Sequence, residues 1–379
     1  METNASSWSV TRLMSKESHK HGGSGDSTNR QTTEGPLKPS PTELNQPVTD
    51  RVNGALLGTW IADALAMPVH WYYNRLALHQ DYSKVTDFLA PKRSHPDSIL
   101  WRSHWDAPSP ELDILDDQRP LWGQRGVHYH QGLNAGENTL TVQLAAIVWQ
   151  LLQEEGAYDA SEYLRRYIRF LTPPRGHRDT YLEECHRGFF TNLGRGLPPE
   201  KCGVHEKHIG GLVMMLPVAL YYAENSDKAQ MKALEHLSTT HPGKEMRQAG
   251  EAILSLLMPV LKGVSLFEAI RESCASQRNP LFGFPFFKWL KYRDEEVIGR
   301  YLSTACYIDH AVPAVIYLAL KYADSPEDGL VANTNLGGDN VHRGGVLGAL
   351  LGAANGAGCW PSRWSENLLA PPNIRRTTD

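Results

Sequence analysis

Residues 337–356 read GGDNVHRGGVLGALLGAANG, and this stretch joins two different kinds of sequence. In its first half an Asp, an Asn, a His and an Arg stand within five consecutive positions. These side chains supply the hydrogen bonds and proton transfers that binding sites and active sites use. The second half contains little besides Gly, Ala and Leu, which favours a helix that lies close to its neighbour. The stretch therefore predicts a polar cluster held beside a closely packed helix.

The pentapeptide GALLG occurs twice, at 54–58 and at 348–352. A glycine inside a helix costs roughly 1 kcal/mol relative to alanine, so a repeated pair of glycines needs a reason. Close approach of two helix backbones is one reason, and close approach to a bound group is the other. In both cases the two ends of the chain are expected to meet, which favours a single domain.

Composition and charge narrow the classes of partner. The chain of 379 residues is 41% hydrophobic and 21% charged, with a formal net charge of −4, as is typical of a globular protein. Nucleic-acid binding normally needs a basic face, so no nucleic-acid partner is expected. No membrane partner is expected either, because no apolar run approaches the roughly 18 residues that cross a bilayer. A small molecule is the expected partner, and the oligomeric state is left open.

The cysteines and the N-terminal segment bear on localisation. Five cysteines are scattered without a C-x-x-C spacing, which indicates reduced thiols of a cytoplasmic protein rather than a disulfide framework or a thiolate zinc site. Residues 1–46 are rich in Ser, Thr, Gly and Asn and lack an apolar period, so we predict that they are disordered. A targeting role for this segment is left open. The folded domain is expected to span 47–379.

Apolar residues at three- and four-residue spacing predict helices along most of the chain. The first contains 54–58 and ends or kinks at Pro68. Alternating Val, Ile and Thr are nearly absent, so the predicted fold class is all-α, with about ten or more helices. The other predicted helices are 139–155, 161–171, 179–193, 209–224, 246–261, 266–276, 295–302, 312–322 and 344–354. The segment 89–131, with three tryptophans, is expected to form an ordered loop over a pocket, or alternatively a patch that binds a partner.

Two predicted helix starts each carry an acid followed by an amide. Glu137 and Asn138 stand in the sequence GENT, and Asp339 and Asn340 stand in the opening stretch. Helix capping explains one such residue at each start. Hard cations also bind oxygen ligands of this kind, and paired carboxylates can act as acid and base. We therefore predict a site at which these two helix starts meet, with coincidental capping as the alternative.

Two further clusters contain acids and histidines. If the chain is helical from residue 179 onward, Asp179, Glu183 and His186 share one helix face, either in a site or as a solvated stripe. His205 and His208 stand close together before the next helix, without a third ligand at metal spacing. A structural or solvated role is the alternative for this pair.

With these motifs in place, the chain resembles the ADP-ribosylglycohydrolase superfamily over nearly its whole predicted domain. The segment 54–69, GALLGTWIADALAMPV, is similar to the family's opening helix, and Asp63 and Pro68 match its motif. GENT at 136–139 occupies the place of the family's D-D-T metal motif. Residues 337–339 match the start of the family's G-G-D-T-D-T motif. The resemblance implies an orthogonally packed, single-domain helix bundle that hydrolyses an ADP-ribosyl glycosidic bond at two Mg²⁺ ions.

The chain departs from the family at both metal motifs. Of about four motif carboxylates, the aligned positions keep Glu137 and Asp339, and Mg²⁺ prefers several hard oxygen ligands. Val341 offers no ligand atom, and His342 replaces a Thr. Three alternatives stay open: a single metal ion, a different metal bound through His342, or no metal. The residues predicted as metal ligands are Glu137, Asn138 and Asp339.

Two hypotheses for function follow. The first is a hydrolase that cleaves a glycosidic bond of an ADP-ribosyl or related ribosyl substrate in a rebuilt polar pocket. Its predicted catalytic residues are Glu137, Asp339 and His342, the histidine as a general acid or a substrate contact. The residues predicted to contact the substrate are Asp63, His70, Asn138, Asn340, Asp179 and His208. The second hypothesis is a catalytically inactive binding or structural protein that keeps the fold, as the family's jellyfish lens crystallins suggest.

Overall fold

Fifteen α-helices make up most of residues 48–374, the part of the chain that the computed structural model describes. They are α1 Val48–Ala66, α2 Arg75–Tyr82, α3 Leu140–Glu155, α4 Ala160–Leu171, α5 Glu184–Gly194, α6 Gly210–Tyr221, α7 Ser226–Thr240, α8 Lys244–Leu261, α9 Leu266–Ser276, α10 Phe286–Trp289, α11 Asp294–Val297, α12 Ile308–Lys321, α13 Pro326–Asn335, α14 Asn340–Asn355 and α15 Ser362–Ser365. Within this range there is no β-strand, only three isolated bridges. The predicted all-α fold class is confirmed, and the prediction for residues 1–46 lies outside the described residues.

Helices α1 and α14 lie side by side with their backbones in contact, and glycine makes this contact feasible. A Cβ atom at Gly58 would lie 2.2 Å from the carbonyl oxygen of Gly348. A Cβ atom at Gly352 would lie 2.0 Å from the carbonyl oxygen of Gly54. The pairing is antiparallel, so the C-terminal end of α1 lies beside the N-terminal end of α14. The prediction that the two GALLG sequences meet is confirmed. The glycines of each helix contact the backbone of the other helix rather than a bound group.

Side-chain hydrogen bonds hold together the other end of this helix pair, where α1 begins and α14 ends. The Nη1 atom of Arg51 donates to the carbonyl oxygens of Ala353 and Ala354, at 2.9 and 2.8 Å. These carbonyls belong to the last turn of α14, where helical partners are missing. The indole Nε1 of Trp360 donates to the carbonyl oxygen of Gly54 at 2.9 Å. The relative position of α1 and α14 is therefore fixed both by backbone packing and by buried hydrogen bonds.

Several helix predictions need correction. Helix α5 begins only at Glu184, and residues 179–183 are not helical. The prediction that Asp179 and Glu183 share a helix face is therefore wrong. The backbone N–H of Tyr181 donates to the carbonyl oxygen of Tyr129 at 3.0 Å, which holds this segment in a non-helical path. Helices α2, α7 and α13 were not predicted, because polar residues interrupt their apolar stripes.

The first helix also corrects the prediction about membrane spans. Residues Val48–Val69 are long and apolar enough to cross a bilayer by length and hydropathy alone. In this structure 94% of the most apolar window of the segment is buried inside the protein. The segment is thus a core helix of this fold, and its high hydropathy reflects burial on all sides.

The loop that carries three tryptophans packs against α5 and the segment before it. The indole Nε1 of Trp105 donates to the hydroxyl of Thr191 in α5 at 3.0 Å. The indole Nε1 of Trp122 donates to the carbonyl oxygen of Thr180 at 3.1 Å. Trp101 stays 38% exposed. The loop therefore has a defined path along one side of the helix bundle.

We predict that Gly58→Ala destabilises the protein by about 2 kcal/mol or more. Overpacking of a core costs ~3 kcal/mol at the upper end of its usual range, and the gain in helix propensity is only ~1 kcal/mol. The free energy of unfolding from urea titration measures the effect. Gly358→Ala is the matched control, because no atom lies within 4 Å of the added Cβ and its backbone is not left-handed. Equal stability of the two variants would contradict the backbone contact described for α1 and α14.

Candidate active site

The Gly-Gly-Asp turn places Asp339 in the centre of the molecule. Gly337 and Gly338 have φ angles of 68° and 65°, which glycine adopts without strain. A Cβ atom on Gly337 would lie 2.2 Å from the carbonyl oxygen of Tyr72, and one on Gly338 would lie 2.2 Å from that of Thr304. The two glycines thus let the turn press against two other segments. Asp339 follows at the N-terminal end of α14 and is fully buried.

The carboxylate of Asp339 lies between two histidines. Its Oδ1 atom is 2.8 Å from Nε2 of His70 and 2.7 Å from Nδ1 of His342. Its Oδ2 atom is buried and has no hydrogen-bond partner among the described residues. Burial alone would raise the pKa of Asp339, but the charge of His342 and the two hydrogen bonds hold this pKa well below its usual range. Asp339 is therefore an ionised carboxylate in the core.

His342 bridges two carboxylates. Its Nδ1 faces Asp339, and its Nε2 lies 3.0 Å from Oε1 of Glu183 and 3.0 Å from the hydroxyl of Thr141. Both ring nitrogens face acceptors, so both carry protons and the ring is an imidazolium. Burial alone would lower the pKa of His342, but the two carboxylates raise it to about 10. Burial would likewise raise the pKa of Glu183, but nearby histidines hold it well below its usual range.

A second histidine faces the other oxygen of Glu183. Nδ1 of His208 lies 3.6 Å from Oε2 of Glu183, close enough for an ion pair but longer than a hydrogen bond. Burial alone would lower the pKa of His208, but the Glu183 carboxylate and neighbouring groups raise it well above its usual range. His208 stands just before α6 and pairs with Tyr307 in an isolated bridge. Glu183 therefore lies between His342 and His208, and Nδ1 of His208 also accepts the backbone N–H of Gly210 at 3.2 Å.

On the opposite side of Asp339 a chain of hydrogen bonds continues through two imidazole rings. Nδ1 of His70 lies 2.7 Å from Nε2 of His130, and Nδ1 of His130 lies 2.7 Å from Oδ1 of Asp179. The two outer bonds each need a proton on the ring nitrogen, because ionised carboxylates only accept. The hydrogen bond between Nδ1 of His70 and Nε2 of His130 needs a third proton, on one of these two nitrogens. Two rings thus share three protons, one more than two neutral imidazoles carry, so the pair holds one positive charge.

Asp179 is held as an acceptor by backbone amides. Its Oδ2 accepts from the N–H of Leu140 at 2.9 Å, and its Oδ1 accepts from the N–H of Thr180 at 2.9 Å. Leu140 is the first residue of α3, so the carboxylate also lies at the positive end of that helix. Burial lowers the pKa of His70 well below its usual range. This pKa favours a neutral His70.

Carboxylates and imidazole rings alternate in this site. Asp339 and Glu183 flank His342. His70 and His130 lie between Asp339 and Asp179. The guanidinium of Arg343, which is also fully buried, adds a positive charge near Asp339. Isolated charges are costly to bury, whereas paired and hydrogen-bonded charges are tolerated. The site is thus a network of paired carboxylates and imidazole rings.

A small cavity of about 10 Å³ opens beside this network. Its volume is that of about one water molecule. The residues that line it are Trp71, His130, Thr139, Leu140, Thr141, Asp179, Tyr181, Glu183, His186 and His342. Burial lowers the pKa of His186 to about 4, so this ring is neutral near pH 7, and its Nδ1 is 2.8 Å from the hydroxyl of Tyr167.

Trp71 covers the cavity and is held by other rings. It stacks on His70 with ring centroids 3.8 Å apart, and it meets Tyr129 and Tyr181 edge-on at 4.6 and 5.1 Å. Trp122 stacks on Tyr181 at 5.6 Å, so the tryptophan-containing loop reaches the edge of the cavity. Trp71 has a φ angle of 61°, a conformation that costs of order 1–3 kcal/mol for a bulky residue. Such strain is concentrated at functional sites.

Five of the predicted site residues come together here. Asp339, His342 and His70 are in direct contact, Asp179 joins them through His130, and His208 joins them through Glu183. The participating residues are therefore brought together from α14, from the end of α1, from the segment before α5 and from the segment before α6.

Glu137 has other contacts. Its carboxylate pairs with the guanidinium of Arg178, which is 52% exposed, and accepts the N–H of Asn134 at 2.9 Å. Glu137 belongs to none of the three groups of potential metal ligands found among the described residues. Glu137 makes no described contact with the histidine network, the connected set of Asp339, Glu183, Asp179, His342, His208, His70 and His130. Its predicted roles as a catalytic residue and a metal ligand stay predictions.

Asp63, Asn138 and Asn340 hold helices together. Asp63 accepts from Nδ2 of Asn138, and from both the N–H and the hydroxyl of Thr139, at 2.6–2.8 Å. These bonds fasten the start of α3 to α1. Asn340 donates to the carbonyl oxygens of Val69 and Thr334. None of the three lines the cavity, so their contact with a substrate also stays a prediction.

Other residues of the site were not predicted as functional. His130 lies at the end of the tryptophan-containing loop, where no periodicity indicates which side chains point inward. Glu183 was noted only as part of a helical stripe, although it contacts His342 directly. Thr141 was counted with the apolar helix α3. The HYH sequence at 128–130 is the one local signal, since His128 also binds the carbonyl oxygen of Pro68 at 2.9 Å.

The residues present do not fit two Mg²⁺ ions. Glu137 faces Arg178, and Nδ2 of Asn138 donates to Asp63. Among the described residues Oδ1 of Asn138 and Oδ2 of Asp339 are buried without a partner, and one amide oxygen and one carboxylate oxygen do not supply the ligands of two ions. Asp339 has two imidazole rings as its nearest neighbours, and Mg²⁺ requires an octahedron composed mainly of oxygen atoms. Two groups in the network, His70–Asp339–His342 and Glu183–His208–His342, could bind a metal that accepts nitrogen ligands.

Comparisons with known proteins agree with this arrangement of helices. A sequence model of the ADP-ribosylglycohydrolase family matches residues 44–379. No curated protein matches the chain significantly. The solved structures that match include an ADP-ribosylglycohydrolase-related protein complex, which is 22% identical and covers 85% of this chain and 93% of the other, with a TM-score of 0.58. At this identity the structural likeness bears on the fold alone.

We predict that His342 makes the protein less stable as the pH rises above neutrality. Below about pH 6.5 the ring is protonated in both the folded and the unfolded chain, so its contribution is complete. Between that pH and about 10 only the folded chain keeps the proton, so stability falls by ~1.4 kcal/mol for each unit of pH at most. His342→Gln removes this part of the decline, as urea unfolding at about pH 6 and about pH 9 would measure.

The control for this experiment is His104→Gln. His104 is exposed and contacts only Asp106 among charged groups. This variant should keep the decline of the wild-type protein. The pKa values of Asp339 and Glu183 lie well below their usual range, so these carboxylates do not contribute to the slope at alkaline pH. An unchanged slope in His342→Gln would contradict the imidazolium between Asp339 and Glu183.

Proposed function

The chain belongs to the ADP-ribosylglycohydrolase family, and we propose that it hydrolyses a glycosidic bond of an ADP-ribosyl or related ribosyl substrate at the His342 network. Family membership supports glycohydrolase chemistry. The observation that carries the proposal is the direct contact between a buried carboxylate, Glu183, and a buried imidazolium, His342, at the wall of a cavity. Glycoside hydrolysis uses a general acid and a general base, and Glu183 and His342 would have to move apart from their 3.0 Å contact to act on either side of the scissile bond.

In the proposed reaction Glu183 accepts a proton from the attacking water, while His342 donates its Nε2 proton to the leaving group. The glycosidic bond breaks, and the water oxygen forms the new bond to the sugar carbon. Glu183 is then protonated and His342 is neutral. When the product leaves and the two groups regain their 3.0 Å contact, the proton returns from the carboxyl group to the ring. The pair is thereby restored without an external proton carrier.

Asp339 acts in this proposal as a positioning residue. Its Oδ1 accepts from Nδ1 of His342, which fixes the orientation of the ring and stabilises its charge. Glu183 and Asp179 both line the cavity, and their negative charges favour the positive charge that develops on the sugar in the transition state. The chemistry assigned to the protein groups requires no Mg²⁺.

A ribosyl group is larger than the cavity, so substrate entry requires that the cover moves. Trp71 is the side chain to displace, because it lies over His70 and faces Tyr129 and Tyr181. Its left-handed backbone stores strain that lowers the cost of moving it. Once displaced, the indole offers a flat face for a base or a sugar.

A second candidate function is binding without turnover. The small cavity and the pairing of carboxylates with imidazole rings are also what a structural protein would keep. In that case the network stabilises the fold and no substrate reaches Glu183. The two candidates differ in turnover, and a ribosyl ligand that raises the melting temperature without being cleaved would support the second.

We predict that Glu183→Gln lowers the hydrolysis rate at least ~100-fold, the contribution expected of a general base. Glu184→Gln, which changes the exposed neighbouring residue, should keep the wild-type rate. The assay follows release of the free ribosyl product from N-linked and O-linked ADP-ribosyl conjugates and from nucleosides by chromatography. Adding Mg²⁺ to metal-depleted wild-type protein should leave the rate unchanged.

Three outcomes would overturn parts of this proposal. Equal rates for Glu183→Gln and wild type, with both folded by circular dichroism, would remove Glu183 as the base. A strict requirement for Mg²⁺ would contradict the metal-independent chemistry. Absence of turnover for the whole substrate panel, together with a thermal shift by ADP-ribose, would replace the enzyme with the binding protein.

A further inference from the structure

A second buried cluster lies outside the histidine network. It consists of Cys185 in the first turn of α5, Glu206 in the segment before α6, and His241 directly after α7. One potential ligand atom from each residue lies within 4.8 Å of the others. Cys185 is fully buried, His241 is 1% exposed and Glu206 is partly buried. Thiol, carboxyl and imidazole groups are thus brought together from three separate segments.

The polar atoms of this cluster lack partners. The Nε2 atom of His241 and the Oε2 atom of Glu206 are buried without a hydrogen-bond partner among the described residues. An unsatisfied buried polar group costs about 1–3 kcal/mol, and folded proteins contain few of them. The other ring nitrogen of His241, Nδ1, lies 2.9 Å from the hydroxyl of Thr240. His241 is therefore fixed in place with its free nitrogen unsatisfied.

We propose that Cys185, Glu206 and His241 bind a zinc ion. Zinc takes sulfur, nitrogen and oxygen ligands at about 2.0–2.3 Å in a tetrahedron, which places ligand atoms roughly 3.3–3.8 Å apart. The observed separations lie within reach of this arrangement by small side-chain rotations. The hydroxyl of Thr240 can accept the Nδ1 proton of His241, as oxygen atoms behind zinc-bound histidines commonly do. A water molecule completes the fourth position.

The protonation of the metal-free cluster is consistent with this site. Burial raises the pKa of the Cys185 thiol well above its usual range and raises that of Glu206 to about 7. Burial lowers the pKa of His241 to about 3, so its ring is neutral and available as a ligand. Zinc binding displaces the thiol proton and any proton on Glu206 into solvent. The Zn²⁺ charge is then balanced by one thiolate and one carboxylate.

The ion would connect the segments that carry part of the histidine network. Cys185 follows Glu183 by two residues, and Glu206 precedes His208 by two residues. Glu183 and His208 form an ion pair across these same segments. A zinc ion would therefore fix the distance between the segment that contains Glu183 and Cys185 and the segment that contains Glu206 and His208. His241 would attach both segments to the end of α7.

The experiment uses the full chain, depleted of metal and titrated with Co²⁺ as a spectroscopic substitute for Zn²⁺. We expect one equivalent to bind tetrahedrally, with a thiolate-to-cobalt charge-transfer band in the near ultraviolet. Cys185→Ser should abolish that band, and His241→Gln should weaken Co²⁺ and Zn²⁺ binding at least about tenfold. Cys202→Ser is the matched control, because Cys202 is an equally buried thiol that contacts backbone carbonyls instead.

The outcomes separate this site from the histidine network. No charge-transfer band in the wild-type protein would overturn the proposal whether or not any variant folds. A band that survives in Cys185→Ser, or disappears in Cys202→Ser, would also overturn it. Co²⁺ binding that persists without the band in Cys185→Ser and is lost in Asp339→Asn, with both variants folded, would place the metal at the network and overturn the proposal. Retention of the band in Asp339→Asn supports it, whatever the protein's hydrolytic activity.

Discussion

The backbone contact between α1 and α14 brings His70 to Asp339 and so places the centre of the candidate site. Two pairs of glycines bring the helix backbones together, and each pair fixes both the distance and the register. Because the helices are antiparallel, the short segment after α1 that ends at His70 lies beside the N-terminal end of α14. His70 and Asp339 are 269 positions apart in sequence and are hydrogen bonded for this reason. The small residues of α14 let it pack closely against α1, and this close packing buries the polar residues at its N-terminal end.

Burial in turn decides the chemistry of the cluster. A carboxylate in the core needs positive charge beside it, and metal ions are one way to supply it. Here imidazolium rings lie in that position: His342 and His208 flank Glu183, and His70 with His130 joins Asp339 to Asp179. The positive charge is therefore carried by protons, which move over hydrogen-bond distances without disturbing the backbone. A site of this kind combines charge balance with acid–base capacity.

The predictability of these features from sequence depends on how local each one is. The all-α class and the meeting of the two GALLG sequences could be predicted, because periodicity and glycine spacing are local patterns. The involvement of Asp339, His342 and His70 could be predicted from their places beside those helices. Glu183 could not be assigned correctly, because its segment is held in a non-helical path by Tyr129, 52 positions before Tyr181 in sequence. The pairing of Glu137 with Arg178 could not be predicted either, because the two residues are 41 positions apart in sequence.

The pairing of carboxylates with imidazole rings in the network also limits how this chain can change over generations. Loss of a single carboxylate leaves an imidazolium without its counter-charge, and loss of a single histidine leaves an unpaired carboxylate in the core. Either change is strongly destabilising by itself. Residues of the network are therefore expected to be exchanged in compensating pairs, or not at all. A lineage that acquired this arrangement would be slow to leave it, even after its original substrate had ceased to matter.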